Sequence, residues 1–126
     1  MLRQILMTPH QHKNLKIWQE SVSFSIDIYN VTKLFPSEEK FGLTNQLRRA
    51  SVSMPSNIAE GSKRGTKKDF ISFLRIALGS AAEVETQLLI ANKLGFINTT
   101  NHTTLTNSLE KITGMLDSFI KKVSAQ

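Results

Sequence analysis

Residues 67–94 read KKDFISFLRIALGSAAEVETQLLIANKL and decide the fold of this chain. Apolar side chains recur there at alternating spacings of four and three, the heptad repeat of a helix that packs along one seam. Small residues fill its centre and let a neighbouring helix approach closely. The spacing predicts a long helix that starts with a capping box at Thr66 and Asp69 and ends at Gly95. The seam consists of Phe70, Leu74, Ala77, Ala81, Val84, Leu88 and Ala91.

Residues 15–34 predict the first helix, although the run from Val22 to Ile28 alternates as a strand would. Apolar spacings of three and four and a length near twenty residues favour the helix. Its apolar side chains form two stripes, and a helix of this kind needs neighbours on two sides. We expect its surplus apolar face at a subunit interface, where aromatic residues concentrate. The alternative is a fully buried helix in a tight monomer. The aromatic residues are Trp18, Phe24 and Tyr29.

Two more segments complete the predicted set of helices. Apolar spacing predicts a second helix over 38–61, in which Pro55 removes a backbone donor and should cause a kink. A further repeat predicts a fourth helix over 101–123. Its last turn holds Lys121 and Lys122, where the negative end of the helix dipole favours cations.

Four amphipathic helices with short connections predict an all-α, antiparallel up-down four-helix bundle. We expect residues 14–124 to form this single domain and residues 1–13 to be a flexible N-terminal tail. The tail contains His10 and His12, but it offers no carboxylate beside them, so we predict no metal site.

The composition of the 126-residue chain excludes several classes of protein. It has no cysteine, which excludes disulfides, cysteine zinc sites and thiol nucleophiles and predicts a reducing, cytoplasmic location. No apolar run approaches the roughly 20 residues that span a bilayer, so we expect no membrane association. Sixteen Lys and Arg residues against ten Asp and Glu give a net charge of +6, which favours an anionic partner. No sequence motif indicates a cofactor.

The positive charge concentrates between the second and third helices. Five cations and one anion lie between Gly61 and Arg75. Lys67 and Lys68 open the third helix, where each exposed cation costs about 0.3–1 kcal/mol because the helix N-terminus is already positive. An external anion such as phosphate would compensate, whereas the alternative is a solvated turn kept soluble by its charge. The predicted phosphate-contacting residues are Lys63, Arg64, Lys67 and Lys68, with Arg48 as a further contributor.

Polar stripes flank the apolar seams of the second and third helices. Spacings of three and four place the members of each stripe on one face. We predict a hydrogen-bonded network that sets packing or subunit register, with Arg49 paired to Glu60 or Glu83. An enzymatic alternative uses Glu60 and Glu83 as an acid/base pair, but no core histidine or nucleophile–base spacing supports it. The stripes are Arg49, Ser53, Asn57 and Glu60, and Ser80, Glu83 and Gln87.

Residues 47–61, LRRASVSMPSNIAEG, resemble a signature of the 23S ribosomal RNA intervening-sequence protein family. Residues 73–86, FLRIALGSAAEVET, are similar to its second signature, and the resemblance covers about residues 15–97. It implies a four-helix bundle that assembles into homo-oligomers, pentamers among them, with no established enzymatic activity. One branch of the family comprises accessory proteins of diversity-generating retroelements, which associate with a reverse transcriptase and nucleic acid.

These observations together predict a non-enzymatic homo-oligomer, a pentamer by the resemblance, that contacts phosphates of RNA or DNA through a ring of basic side chains. No aromatic residues interleave the basic cluster, so we expect no reading of base sequence. The alternative is a protein–protein adaptor whose basic face binds an acidic partner, such as a reverse transcriptase complex. Neither function requires a metal or a cofactor.

Overall fold

The computed structural model describes residues 11–126, which fold into the predicted all-α four-helix bundle. Each long helix packs against its neighbours in sequence, and the first also packs against the fourth, which closes the bundle around one core. The long helices are α1 (Lys16–Thr32), α2 (Leu43–Ser62), α3 (Lys67–Lys93) and α4 (Thr99–Ser124), and short 3-10 helices span Gln11–Asn14 and Ser37–Glu39.

The apolar repeats of α2, α3 and α4 build the core. Every residue of the predicted α3 seam is buried, and so are Leu47 and Ile58 of α2 and Leu109 and Leu116 of α4. In the last turns of α4, Ile120 and Val123 are buried, whereas Phe119 is only partly buried and packs against the core. Burial of the repeats supplies most of the free energy that holds the four helices together.

One of the two apolar stripes of α1 faces the core, and the other packs against it only near the start of the helix, through Leu15 and Trp18. Phe24 and Ile28 are buried, whereas Ile26 and Tyr29 of the other stripe are 56% and 41% exposed. The chain by itself therefore leaves an apolar face of α1 in contact with solvent. Buried hydroxyls fill the spaces between the core residues of α1; the Ser21 hydroxyl, for example, donates to the Ile17 carbonyl at 2.6 Å.

Helix α2 begins later than predicted. We expected it to start at residue 38, but residues 37–39 form a 3-10 helix and α2 starts at Leu43. Gly42 has backbone angles outside the helical region, so it interrupts the helical run. The Glu39 side chain then accepts a hydrogen bond from the Leu43 N–H at 3.0 Å and satisfies one of the free donors at the new start.

Side chains at other helix ends explain where α3 and α4 begin. Thr66 caps α3 as predicted, since its hydroxyl accepts a hydrogen bond from the Asp69 N–H at 3.1 Å. Gly95, with φ of +80°, follows the end of α3 in the left-handed conformation that glycine favours. Helix α4 begins two residues earlier than predicted because Asn98 accepts from the Asn101 N–H at 2.7 Å and caps it.

The described part of the predicted tail lies against the bundle. His12 is buried in the first 3-10 helix, and its ring packs edge-on against Trp18 with the centroids 5.1 Å apart. The remaining tail residues, 1–10, lie outside the described residues, and His10 is among them.

Pro55 lies inside α2 and leaves the Ser51 carbonyl without its usual helical donor. Ser25 of α1 supplies one, because its hydroxyl lies 2.9 Å from the Ser51 carbonyl and 3.0 Å from the Ser21 carbonyl of its own helix. The missing hydrogen bond of α2 thus becomes a buried link between α1 and α2. The kink near Pro55 and the up-down orientation of the bundle stay predictions.

No helix within residues 11–126 is both long and apolar enough to cross a membrane. The same residues contain no group of three His, Asp or Glu side chains that could hold a metal ion.

The first stability prediction concerns Gly61, where α2 and α3 approach closely. A Cβ atom there would lie 2.7 Å from the Phe73 Cβ and 3.1 Å from the Phe70 Cδ1. Gly61→Ala should therefore lower the free energy of unfolding by about 1–3 kcal/mol, despite the better helix propensity of alanine. The matched control is Gly114→Ala, which meets open space in α4 and should raise stability by up to about 1 kcal/mol. Urea denaturation measures the free energy of unfolding of both variants. If the two substitutions change it in the same direction, α2 and α3 are not closely packed at Gly61.

The second stability prediction concerns the link at Pro55. Ser25→Ala should lower the free energy of unfolding by about 1–3 kcal/mol because it leaves a buried carbonyl unsatisfied. The exposed neighbour Ser23→Ala should change it by less than about 0.5 kcal/mol. In a Pro55→Ala background the new N–H can bond the Ser51 carbonyl, so Ser25→Ala should cost less. If the changes that Ser25→Ala and Pro55→Ala cause in the free energy of unfolding are additive, the Ser51 carbonyl does not couple the two residues.

Candidate nucleic-acid interface

The turn between α2 and α3 carries the predicted basic residues. Gly65 has φ of +85°, a conformation that glycine adopts without strain, and it lets the chain reverse between the two helices. The side chains of Lys63, Arg64 and Lys68 are exposed, and Lys67 is half-buried. We call these four residues the basic turn.

Among the residues that the structure describes, one member of the basic turn has a carboxylate partner and the three lysines have none. Arg64 donates to Glu60 at 2.7 Å, and its guanidinium lies 4.7 Å from the centre of the Phe73 ring. Within residues 11–126 the lysines of the basic turn form no ion pair. Because both partners of the Arg64–Glu60 pair are about half exposed, the pair contributes at most about 1 kcal/mol. It lowers the charge of the turn without removing it.

Two of these lysines occupy an unfavourable electrostatic position. Lys67 and Lys68 are the first two residues of α3, where backbone N–H groups point out of the helix without partners in it. The Thr66 cap uses only the Asp69 N–H. The start of α3 therefore combines free donors, the positive end of a helix dipole and two ammonium groups against one carboxylate, that of Asp69, and this excess of positive charge favours a bound anion.

The bundle brings further lysines to the same end. Phe70 at the start of α3 meets Phe119 near the end of α4, with ring centroids 5.6 Å apart. The start of α1 shares a groove with the last turns of α4, so Lys16 and Lys122 lie at this end as well. Sequence reasoning assigned the lysines at the end of α4 to the helix dipole alone, because their nearness to α3 depends on how the helices pack. We call the basic turn together with Lys16, Lys121 and Lys122 the basic end.

Arg48 lies on a different surface from the basic turn. A helix rises 1.5 Å per residue, so Arg48 is about 22 Å from Lys63 along α2. Its guanidinium donates to the Thr32 hydroxyl at 2.9 Å and to the Tyr29 carbonyl at 3.4 Å. It also covers the Tyr29 ring at 4.6 Å from the ring centre. Arg48 is thus fixed against α1 at the opposite end of the bundle.

Part of the predicted polar network joins α2 to α3. The Ser53 and Ser80 hydroxyls lie 2.8 Å apart, and the Asn57 amide donates to the Ser53 hydroxyl at 2.9 Å. Arg49 and Glu83 line a neighbouring cavity of about 400 Å³ but form no ion pair with each other. Gln87 lines the same cavity, and its side-chain oxygen is buried without a hydrogen-bond partner among residues 11–126.

Glu60 pairs with Arg64, and the expected pair with Arg49 does not form. Arg49 lies three turns away on the same helix, about 16 Å along its axis, whereas Arg64 lies one turn away. Glu83 lines a cavity with Arg49 and therefore lies at the same level of the bundle as Arg49. Glu83 is thus also about 16 Å from Glu60 along the bundle axis. Two carboxylates that far apart along the bundle cannot act together on one bond of a substrate.

A groove of about 650 Å³ separates the start of α1 from the last turns of α4. Its floor is apolar and its rim carries three lysines, one of which, Lys111, pairs with Glu20 at 3.4 Å. Sequence reasoning did not identify this groove because its two sides lie about a hundred residues apart in the chain. We call it the α1–α4 groove; it includes Leu15, Ile17, Met115 and Phe119 on its floor and Lys16, Lys111 and Lys122 on its rim.

Comparisons with known proteins agree with the architecture. The sequence model of the family described as 23S rRNA-intervening sequence protein matches residues 13–118. A crystal structure of a protein with unknown function, from the S23 ribosomal protein family of Bacteroides thetaiotaomicron, is similar with a TM-score of 0.78. The two chains are 30% identical, and the similarity covers 83% of this chain and 98% of that one. No curated protein matches the chain.

Proposed function

The chain belongs to the 23S rRNA-intervening sequence protein family, and from that premise we propose that it is a non-enzymatic homo-oligomer that associates with nucleic acid. The observation that carries the proposal is the basic turn, whose three lysines have no carboxylate partner within the described residues. They stand at a helix start that favours an anion, and the fold adds lysines of α1 and α4 beside them.

Phosphate groups of a nucleic-acid backbone fit this surface better than bases do. Arg64 covers the ring of Phe73, and the ring of Phe70 is buried, so neither ring offers a free face for stacking. Contacts to phosphate position a protein on nucleic acid without reading its sequence. Binding through the basic end should therefore tolerate any sequence and depend strongly on salt, because each neutralised phosphate releases counterions.

Self-association would multiply the basic surface. Exposed apolar side chains remain on the outer faces of α1 and α3, among them Ile26, Ile76, Ile90 and Leu94. Burial of such side chains between copies of the chain is a common source of oligomer stability. A closed ring, a pentamer by the family resemblance, would place five basic ends on one assembly and strengthen binding to a single strand through multivalency.

The α1–α4 groove supports a second candidate function, that of an adaptor for an acidic protein such as a reverse transcriptase complex. An apolar floor with a lysine rim fits the amphipathic face of an acidic helix. Met115→Ser should weaken capture of such a partner after nuclease treatment and leave nucleic-acid binding intact, because it removes apolar surface from the groove floor and adds no charge beside Lys16 and Lys122. If the partner is lost on nuclease treatment alone, nucleic acid bridges the two proteins and the adaptor function fails.

The nucleic-acid prediction uses the salt dependence of binding. For short duplex DNA, Lys67→Gln/Lys68→Gln should reduce the slope of log affinity against log salt by about 2, since each lost phosphate contact removes about 0.9. The same change should raise the free energy of unfolding by about 0.3–1 kcal/mol per lysine, because it removes cations from a helix start. Fluorescence anisotropy between 50 and 200 mM salt and urea denaturation measure the two effects.

The matched control is Lys33→Gln/Lys93→Gln, which removes two exposed lysines near the other ends of α1 and α3. It should leave the salt slope within the error of the unsubstituted protein. Equal slopes for both double variants would contradict a phosphate site at the basic turn. Binding that is absent at 50 mM salt, or indifferent to salt, would overturn the proposed association with nucleic acid.

The oligomer prediction concerns mass in solution. Multi-angle light scattering should give a mass several times that of the 14.2 kDa chain. Ile90→Glu places a charge on the exposed apolar face of α3 and should lower that mass. Ser72→Glu, on an exposed polar position of the same helix, should leave it unchanged. If the unsubstituted protein has the mass of a monomer, the proposed ring of subunits does not form and the basic surface is not multiplied.

A further inference from the structure

A second basic surface lies at the end of the bundle opposite the basic turn. It is a pocket of about 460 Å³ between the last turns of α1 and the start of α2. Three cations line it, and no Asp or Glu is among its lining residues. It differs from the basic turn because aromatic rings stand among the cations. We call it the aromatic pocket; it includes Tyr29, Lys40, Phe41, Asn45, Arg48 and Arg49.

The guanidinium of Arg48 is held in place before any ligand arrives. Its Nε donates to the Thr32 hydroxyl and its Nη2 donates to the Tyr29 carbonyl. The Tyr29 ring lies under the guanidinium plane and restricts it further. Nη1 has no hydrogen bond within residues 11–126, so it remains available to an anion. Preorganisation of this kind lowers the entropic cost of binding.

Phe41 is the feature of this pocket that the fold does not explain. Its side chain is 86% exposed, the highest exposure of any large apolar residue described. It sits directly before Gly42, in the segment that joins the second 3-10 helix to α2, and the Lys40 ammonium lies 5.4 Å from its ring centre. A ring this exposed keeps a face open to a base even with Lys40 beside it, and aromatic rings within a positively charged groove are what proteins use to bind single-stranded nucleic acid.

We propose that the aromatic pocket binds one nucleotide of single-stranded RNA or DNA. The base stacks on the Phe41 ring, and the phosphate accepts hydrogen bonds from Lys40, Arg48 and Arg49. The Asn45 amide, on the exposed side of α2, lies within the same pocket and can meet the base edge. This inference deepens the proposed function and rests on it, because it adds a preference for single strands to backbone contacts that any nucleic acid can make.

A duplex does not satisfy this pocket, since its bases are stacked on one another and cannot reach the Phe41 ring. A phosphorylated peptide could supply the anion, but it offers no planar base for the ring. The pocket lies about 22 Å from the basic turn along α2, so the two surfaces can be altered separately.

The test compares single-stranded and duplex oligonucleotides of one sequence by fluorescence anisotropy at fixed salt, with the full chain. Phe41→Ala should weaken binding of the single strand about 5- to 150-fold, the range expected for loss of one stacked base. Binding of the duplex should change less than about twofold. Phe41→Trp should restore binding of the single strand, because a larger ring stacks at least as well. Arg49→Gln should reduce the salt slope for the single strand by about 0.7.

Leu34→Ala is the matched control, since Leu34 is a highly exposed apolar residue near the same end of the bundle and does not line the aromatic pocket. It should leave both affinities unchanged. If Phe41→Ala binds the single strand as tightly as the unsubstituted protein, the pocket is not a nucleotide site. An equal loss for single strand and duplex would also overturn the proposal.

A 5′-mononucleotide separates the failure of this inference from that of the proposed function, because it is too small to reach the basic turn. In NMR spectra it should shift the ring signals of Phe41 and Tyr29. If these shifts occur while duplex binding is absent, the nucleotide pocket stands and the association through the basic end fails. If duplex binding depends on Lys67 and Lys68 while the ring signals do not move, the basic end stands and the pocket fails.

Discussion

The close packing of α2 against α3 is the constraint on which the rest of the structure depends. Gly61 allows it, because the α2 backbone there lies too close to Phe70 and Phe73 for any side chain. The Ser53–Ser80 hydrogen bond fixes the same two helices further along. Once α2 and α3 are held this closely, the residues between them have room only for a short turn. Two of those residues, Lys63 and Arg64, are cationic, and Lys67 and Lys68 follow them as the start of α3, so helix packing concentrates positive charge at one end of the bundle.

Two electrostatic effects of unequal size act on that charge. The Arg64–Glu60 pair is half exposed, and exposed pairs of this kind contribute between zero and about 1 kcal/mol. The two lysines at the start of α3 together cost about 0.6–2 kcal/mol through the helix dipole. The pair therefore does not cancel the excess, and it leaves all three lysines of the turn without partners in residues 11–126. An external polyanion compensates them better than the protein does, because it brings many charges at once and releases its counterions.

The sequence was sufficient for the features that depend on local spacing. The α3 seam, the Thr66 cap and the end at Gly95 follow from neighbours along one helix, and all are confirmed. Features that depend on contacts between distant segments could not be predicted. The hydroxyl of Ser25 meets the carbonyl freed by Pro55 only because α1 packs beside α2. Arg64 pairs with Glu60, which lies one residue before the stretch from Gly61 to Arg75 in which the charges were counted. The aromatic pocket needs α1 to bring Tyr29 beside Lys40 and Phe41, whose exposure no periodicity reveals.

The two basic surfaces differ in chemistry, and the difference follows from where each lies in the fold. At the basic turn the nearby ring of Phe73 is covered by Arg64, so only charge is offered and any phosphate backbone fits. At the opposite end the segment before α2 leaves Phe41 86% exposed, with Lys40 near its ring and the fixed guanidinium of Arg48 in the same pocket, so charge and a stacking surface are offered together. A single strand can use both surfaces and a duplex only the first. With several copies in one ring, this difference would be repeated along the bound strand, and the preference for unpaired bases would grow with each subunit engaged.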